Sequence, residues 1–174
     1  MICTEELLGL ELGWRAMRPA DLDSVMRIAA EVHPAFPEDR AIMEERLLLY
    51  PAGCRILSDG NGCFGYLISH PWYHGEAPAL NSLLETVPAL TDTYYLHDLA
   101  LLPKVRGSGQ AGVVVRAIHH HARAKGYARQ ALVAVNGSVP FWQRQGFEWV
   151  NVPSMEEQLL SYEPEARYMV RLSN

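Results

Sequence analysis

Residues 93–102, TYYLHDLALL, form a long apolar segment rich in β-prone residues, and PKVRGSGQAGVVVRAI follows directly. A strand that runs through Gly107-x-Gly109-x-x-Gly112 into a helix is the most restrictive feature of the chain. Glycines there give the backbone access to positive φ and leave the first N–H groups of the helix uncovered. Beyond the turn, Ala111, Val114, Val115, Ile118 and Ala122 share one face of a helix reaching about Lys125, with Gly126 as its cap. Gln130 to Val135 then reads as another buried strand. This central strand–turn–helix–strand unit requires an α/β or α+β domain around a mixed sheet.

The rest of the chain supplies the flanking elements. Leu12 to Met17 reads as a first strand, and Asp21 as the N-cap of a helix with Leu22, Val25, Met26, Ile28, Ala29 and Val32 on one stripe. His33-Pro34-Ala35-Phe36-Pro37 ends that helix, because each proline disfavours αR at the residue before it. A second helix is expected over Glu38–Tyr50. Cys54–Ser58 and Cys63–Ser69 form a hairpin about Asp59-Gly60-Asn61-Gly62. A short helix is expected near Leu80–Glu85, another over Ser138–Gln145, and final strands over Phe147–Val152 and Arg167–Leu172.

The glycine spacing resembles a dinucleotide-binding turn, which also needs an acidic residue about 20 positions on for the ribose. None occurs between Asp98 and Glu148, and too little chain follows for further βα units. A Gly-x4-Gly-Lys-Ser/Thr loop is likewise absent. A helix N-terminus behind a glycine turn still suits a pyrophosphate, whereas a plain tight turn would carry no ligand. Charge favours the phosphate: the acid-free span holds Lys104, Arg106, Arg116, Arg123, Lys125, Arg129 and Arg144. Elsewhere 8 basic face 20 acidic residues, a net of −12.

With 174 residues, one domain spanning 1–174 is expected. No run approaches the roughly 18 apolar residues of a membrane span, and the acidic N-terminus lacks the basic start of a signal peptide. Cys3, Cys54 and Cys63 show no CxxC spacing and suit a reducing cytoplasm. A net charge of −5 argues against nucleic acid as the main partner. His119-His120-His121 cannot chelate one metal, because consecutive helical residues diverge by about 100°. No metal is expected.

YLHDLALLPKVRGSGQAG resembles the acetyl-CoA motif of the GNAT N-acetyltransferase superfamily. RPADLDSV is similar to that family's first strand–helix junction, ILSDGNGCFGYLIS to its second and third strands, and VNGSVPFWQRQGFEWV to its closing Asn…Phe-Tyr…Gly-Phe block. The resemblance implies a GNAT fold: a central, mixed, mostly antiparallel twisted sheet of about six to seven strands, splayed fourth and fifth strands, and about four helices. It implies acetyl-CoA as co-substrate. The β-strand segment Leu99-Ala100-Leu101 would meet the pantetheine through the backbones of Leu99 and Leu101. Val105, Arg106, Gly107, Ser108, Gly109, Gln110 and Ala111 would hold the pyrophosphate, with charge from Arg106 and Lys104. Asn136, Phe141 and Trp142 would border the thioester. A homodimer is compatible with the resemblance.

Acyl transfer to an amine needs a deprotonated nucleophile, a polarised carbonyl and a proton for the leaving thiolate. By resemblance, the Leu101 backbone N–H polarises the carbonyl. His97 stands where some members carry a glutamate general base, and its ordinary pKa of about 6.5 suits that role; a purely structural sheet histidine is the alternative. Strand alternation puts Asp98 on the opposite face, and His97 on the face of Leu99 and Leu101. Trp142 replaces the tyrosine that many members use as general acid, and an indole N–H delivers no proton at neutral pH. Tyr94, Tyr95 and Tyr168 are candidate substitutes. Phe36 in one loop, and Trp72 and Tyr73 in another, are the expected acceptor walls around an amine. Two functions remain open: a CoA-dependent N-acetyltransferase, or a CoA-binding module of the same fold with weak or lost catalysis.

Overall fold

Hydrophobic residues alternate about the sheet and set its two faces. The computed structural model describes residues 11–173; Cys3 and the N-terminal segment lie outside them. The elements are β1 (Gly13–Ala16), α1 (Leu22–Val32), α2 (Arg40–Leu49), β2 (Arg55–Ser58), β3 (Cys63–Trp72), β4 (Thr93–Leu101), α3 (Gln110–Ala124), β5 (Arg129–Ala134), α4 (Val139–Arg144), β6 (Glu148–Trp149), α5 (Glu156–Tyr162) and β7 (Arg167–Leu172). One seven-stranded sheet has the order β1-β2-β3-β4-β5-β7-β6. Among the described strands only β4 and β5 pair in parallel, joined by the crossover through α3. This is the expected GNAT architecture.

Tyr66, Ile68 and Ala100 on one sheet face pack against Val25 and Ile28 of α1 and Met43 of α2. Leu67, Tyr94, Leu96 and Leu132 on the other meet Val114, Val115 and Ile118 of α3. Each such fully buried Val or Ile contributes about 1.5–3 kcal/mol. Among the described residues no helix is long and apolar enough to cross a membrane.

Two irregularities shape the functional end. The β3–β4 register steps from Ile68↔Asp98 to Ser69↔Leu96, leaving His97 as the extra residue of a bulge. A bulge inserts one residue on one strand and breaks alternation there. The expected opposition of His97 and Asp98 is therefore wrong: both turn to the α1 side, whereas Leu99, opposite Leu67, lies on the α3 side. Just beyond Tyr95↔Ala131, the last of three β4–β5 pairs, the two strands part. β5 continues to Ala134 against β7 instead.

Other boundaries also moved. Asp21 does not cap α1; its carboxylate turns back to the Arg18 N–H at 2.8 Å and to Arg15 at 2.7 and 2.8 Å. No helix forms over residues 80–85, where Asn81 and Glu85 take positive φ of 54° and 64°. Glu45 on α2 holds that stretch by accepting from the N–H groups of Leu84 and Glu85. β3 runs on to Trp72 because Pro71 lies past Arg55↔Leu67, the last β2–β3 pair, so its missing N–H breaks no bond to β2. The short β6 and the unanticipated α5 complete the C-terminal end.

Candidate active site

Where β4 and β5 separate, a cleft of about 860 Å³ opens between the strands, the glycine turn and α4. The ladder phase explains its polar wall. Leu102 N–H donates to Phe64 O at 2.8 Å, so Ala100, two residues back, also bonds towards β3. Leu99 and Leu101 then direct their N–H and C=O groups into the cleft. The Leu101 carbonyl accepts from Arg106 Nε at 3.1 Å.

Gly107 and Gly109 adopt φ of +78° and +81°, a left-handed conformation that costs other residues about 1–2 kcal/mol. No side chain caps the start of α3, so its first N–H groups face the cleft mouth. Arg106, Arg116 and Arg144 line the same cavity. These donors fit the phosphates of coenzyme A, and the open β4 edge fits its amide-bearing arm. Val105, Gln110, Ala111, Asn136, Phe141 and Trp142 also line the cleft.

Three expected contributors do not line it. Ala100 is fully buried in the core. Lys104 places Nζ 4.4 Å over the Phe64 ring, and Ser108 Oγ donates to Val105 O at 2.6 Å. Gly112 lines it as well. A Cβ there would stand 3.2 Å from the Arg116 guanidinium. Arg116 and Arg144 were legible as members of the acid-free span but not as cleft residues.

A smaller cavity of about 60 Å³ adjoins the first, walled by Phe36, Leu80, Tyr95 and Tyr162 with Glu38 at its polar side. His33, His97, Asp98, Val133 and Val135 line both cavities and form the throat between them. Two imidazole–carboxylate pairs meet there. His97 Nε2 lies 2.8 Å from Glu38 Oε1, with both side chains almost wholly buried. His33 Nε2 lies 2.9 Å from Asp98 Oδ1, an ionic contact off the line of a good hydrogen bond. Asp98 also accepts from the Tyr66 hydroxyl.

The electrostatics follow from burial and pairing. Burial opposes a charge on His33, but Asp98 and the Leu99 carbonyl outweigh it and raise its pKa above the ordinary value. Burial also works against the carboxylates. His97 nevertheless holds Glu38, and His33 with Tyr66 holds Asp98, below the usual range. His33 and Glu38 carried no motif; only the Pro-rich exit from α1 marked their loop. Behind His97, the fully buried His70 is pushed down to about 3 by burial and stays neutral.

Trp72 and Tyr73 line neither cavity; their rings pack against each other at 5.3 Å, and Trp72 against His70. The histidine triplet diverges as expected: His119 contacts Gln130, and His121 contacts Tyr50. Among the described residues no cluster suited to a metal ion occurs.

The splayed sheet, glycine cradle and strand-edge cleft define an acyl-CoA-binding fold, and solved structures carry the same architecture. The loading GNATL domain of CurA from Lyngbya majuscula is similar with a TM-score of 0.78 at 12% identity, over 93% of this chain and 98% of that one. The GphF GNAT-like decarboxylase, solved with isobutyryl-CoA, gives 0.75 at 16%, over 93% and 100%. The ribosomal-protein-S18-alanine N-acetyltransferase from Escherichia coli gives 0.67 at 14%, over 94% of each. At these identities the likeness shows the fold alone. No curated protein matches the sequence. The model of the Acetyltransferase (GNAT) family matches residues 21–147, and the chain belongs to that family.

Proposed function

We propose that the protein transfers an acetyl group from acetyl-CoA to a primary amine of a small molecule or peptide, by direct attack in a ternary complex. The observation that carries this reading is the throat: it joins a phosphate-suited cleft to a pocket holding the His97–Glu38 pair. The related folds bear names of both an N-acetyltransferase and a decarboxylase, so the choice rests on this site.

Acetyl-CoA would supply the activated acetyl thioester. The backbones of Val105–Gly107 and Gly109–Ala111, with Arg106, Arg116 and Arg144, would hold its phosphates, and the Leu99 and Leu101 backbones its pantetheine. Asn136, Phe141 and Trp142 would border the thioester, with the Leu101 N–H polarising its carbonyl. His97 takes the proton of the amine, and Glu38 orients the imidazole and stabilises the imidazolium. Phe36, Leu80 and Tyr162 flank the acceptor and exclude water.

Free-thiol release from acetyl-CoA across a panel of amines tests this reading, with His97→Ala expected to lose roughly 10²-fold or more in kcat. Trp142 favours one second reading, a CoA-binding module: tight calorimetric CoA binding, no turnover on any amine and no response to His97→Ala would establish it. A titration without acetyl-CoA binding excludes both.

A further inference from the structure

The amine's proton has an acceptor in His97, but the departing sulfur needs a donor of its own. The tyrosines considered from sequence do not serve. Tyr94 gives its hydroxyl to Ser69 on the α3 side. The Tyr168 hydroxyl accepts from the Gly75 N–H, outside both cavities. Tyr95 lines only the acceptor pocket. Among the described residues, no tyrosine, cysteine or lysine lines the cofactor cleft. Its arginines cannot be deprotonated, and Trp142 has no acidic proton to give. His33 and His97 are the remaining proton carriers.

The two histidines lean to opposite sides of the throat. Glu38, the partner of His97, lines only the acceptor pocket. Asn136, whose Nδ2 lies 3.4 Å from His33 Nδ1, lines only the cofactor cleft. We propose that His33 is the general acid that protonates the coenzyme A thiolate, in place of the tyrosine whose position Trp142 occupies. This rests on the acetyl-transfer reading. His97 accepts the proton from the attacking nitrogen as the C–N bond forms. His33 gives its proton to sulfur as the C–S bond breaks. Solvent afterwards takes the proton from His97 and returns one to His33, so charge and protons balance.

The surroundings favour the charged form of His33. Asp98 and the Leu99 carbonyl face it from β4, with Tyr66 behind Asp98 on β3, Arg106 on the glycine turn and Asn136 just past β5, while His97 and Glu38 line the same small pocket. Of these, Asp98 is the carboxylate in direct contact. Asn136 sits on a positive-φ turn, its N–H donated to Glu163 at 2.8 Å. That bond holds the backbone, and the side-chain amide can turn about its last torsion to present Oδ1 to the Nδ1–H of a charged His33.

The test combines a titration that needs no turnover with a leaving-group comparison. In protein with labelled histidine and no acetyl-CoA, the His33 ring is expected by NMR to titrate above about 6.5, and Asp98→Asn to lower it. Titration at or below that value overturns the proposal whatever the activity. With an amine that the wild type acetylates, His33→Gln should lower kcat roughly 10²-fold with little change in the acetyl-CoA KM, and should remove the basic limb of the pH–rate profile. The loss should be larger still with the oxygen-ester analogue of acetyl-CoA, whose alkoxide needs a proton more than a thiolate does. An equal loss with both esters, or no loss, overturns His33 alone and leaves acetyl transfer standing. Absence of turnover on every amine defeats both.

Discussion

His33 and Asn136, 103 residues apart in sequence, face each other across the mouth of the splayed strands with Nδ1 and Nδ2 3.4 Å apart. The contact ties the end of α1 to the end of β5 and makes a side wall of the throat. Asn136 holds φ of +55°, so its backbone and its side chain should separate on mutation. Asn136→Gly keeps the turn and loses the contact, whereas Asn136→Ala also strains the turn. Urea denaturation should find the alanine variant less stable than the glycine variant by about 1 kcal/mol.

The glycines of the cradle should fail in different ways. Gly109→Ala forces a left-handed alanine and should destabilise by about 1–2 kcal/mol, although open space surrounds its Cβ. At Gly112 the added methyl meets the far end of the Arg116 side chain at 3.2 Å and the Gln145 amide at an ordinary 3.9 Å. Gly112→Ala should therefore leave the melting temperature nearly unchanged while weakening coenzyme A binding by calorimetry. Equal loss of stability in both variants would contradict this division.

Stability should depend on pH in a way that isolates His33. Its folded pKa is raised, so its contribution is present below about 6.5 and is lost as pH rises through the higher folded value. Glu38 and Asp98 are lowered. Their contributions hold above about 4.3 and 3.9 and fade as pH falls through the folded values. His70, pushed down to about 3, adds a loss of stability as pH falls below about 6.5. Melting curves of wild type and His33→Gln should thus converge as pH rises from 6 to 9; a constant gap would exclude the raised value.

Arg46 is fully buried, paired with Glu45 at 2.7 Å and donating to Ser82 O at 3.0 Å. With the Glu45 contacts to Leu84 and Glu85, it anchors the stretch carrying Leu80 of the smaller cavity. Arg46→Ala should cost about 3 kcal/mol in urea denaturation, and Arg46→Met less, since it keeps the volume. Both should raise the KM for the amine more than that for acetyl-CoA.

What was legible from sequence depended on locality. The hairpin at Asp59–Gly62, the stripe of α3 and the uncovered turn before it are set by consecutive residues, so each could be read in place. The missing helix at residues 80–85 and the turned-back carboxylate of Asp21 could not. Glu45, 39 residues from Leu84, decides the first, and Arg15, on the other side of the strand–helix junction, decides the second.

The sequence by itself determined that a strand would feed a glycine turn and a helix inside a basic span, a turn suited to a phosphate-bearing ligand. That follows from φ, helix polarity and charge, which are properties of neighbouring residues. Only the tertiary structure decided which groups meet in the throat between the two cavities. The bulge at His97 depends on its pairing with β3, and it turns two adjacent side chains to one face. Packing of α1 against the sheet then brings Glu38 to His97, 59 residues away, and His33 to Asp98 and Asn136.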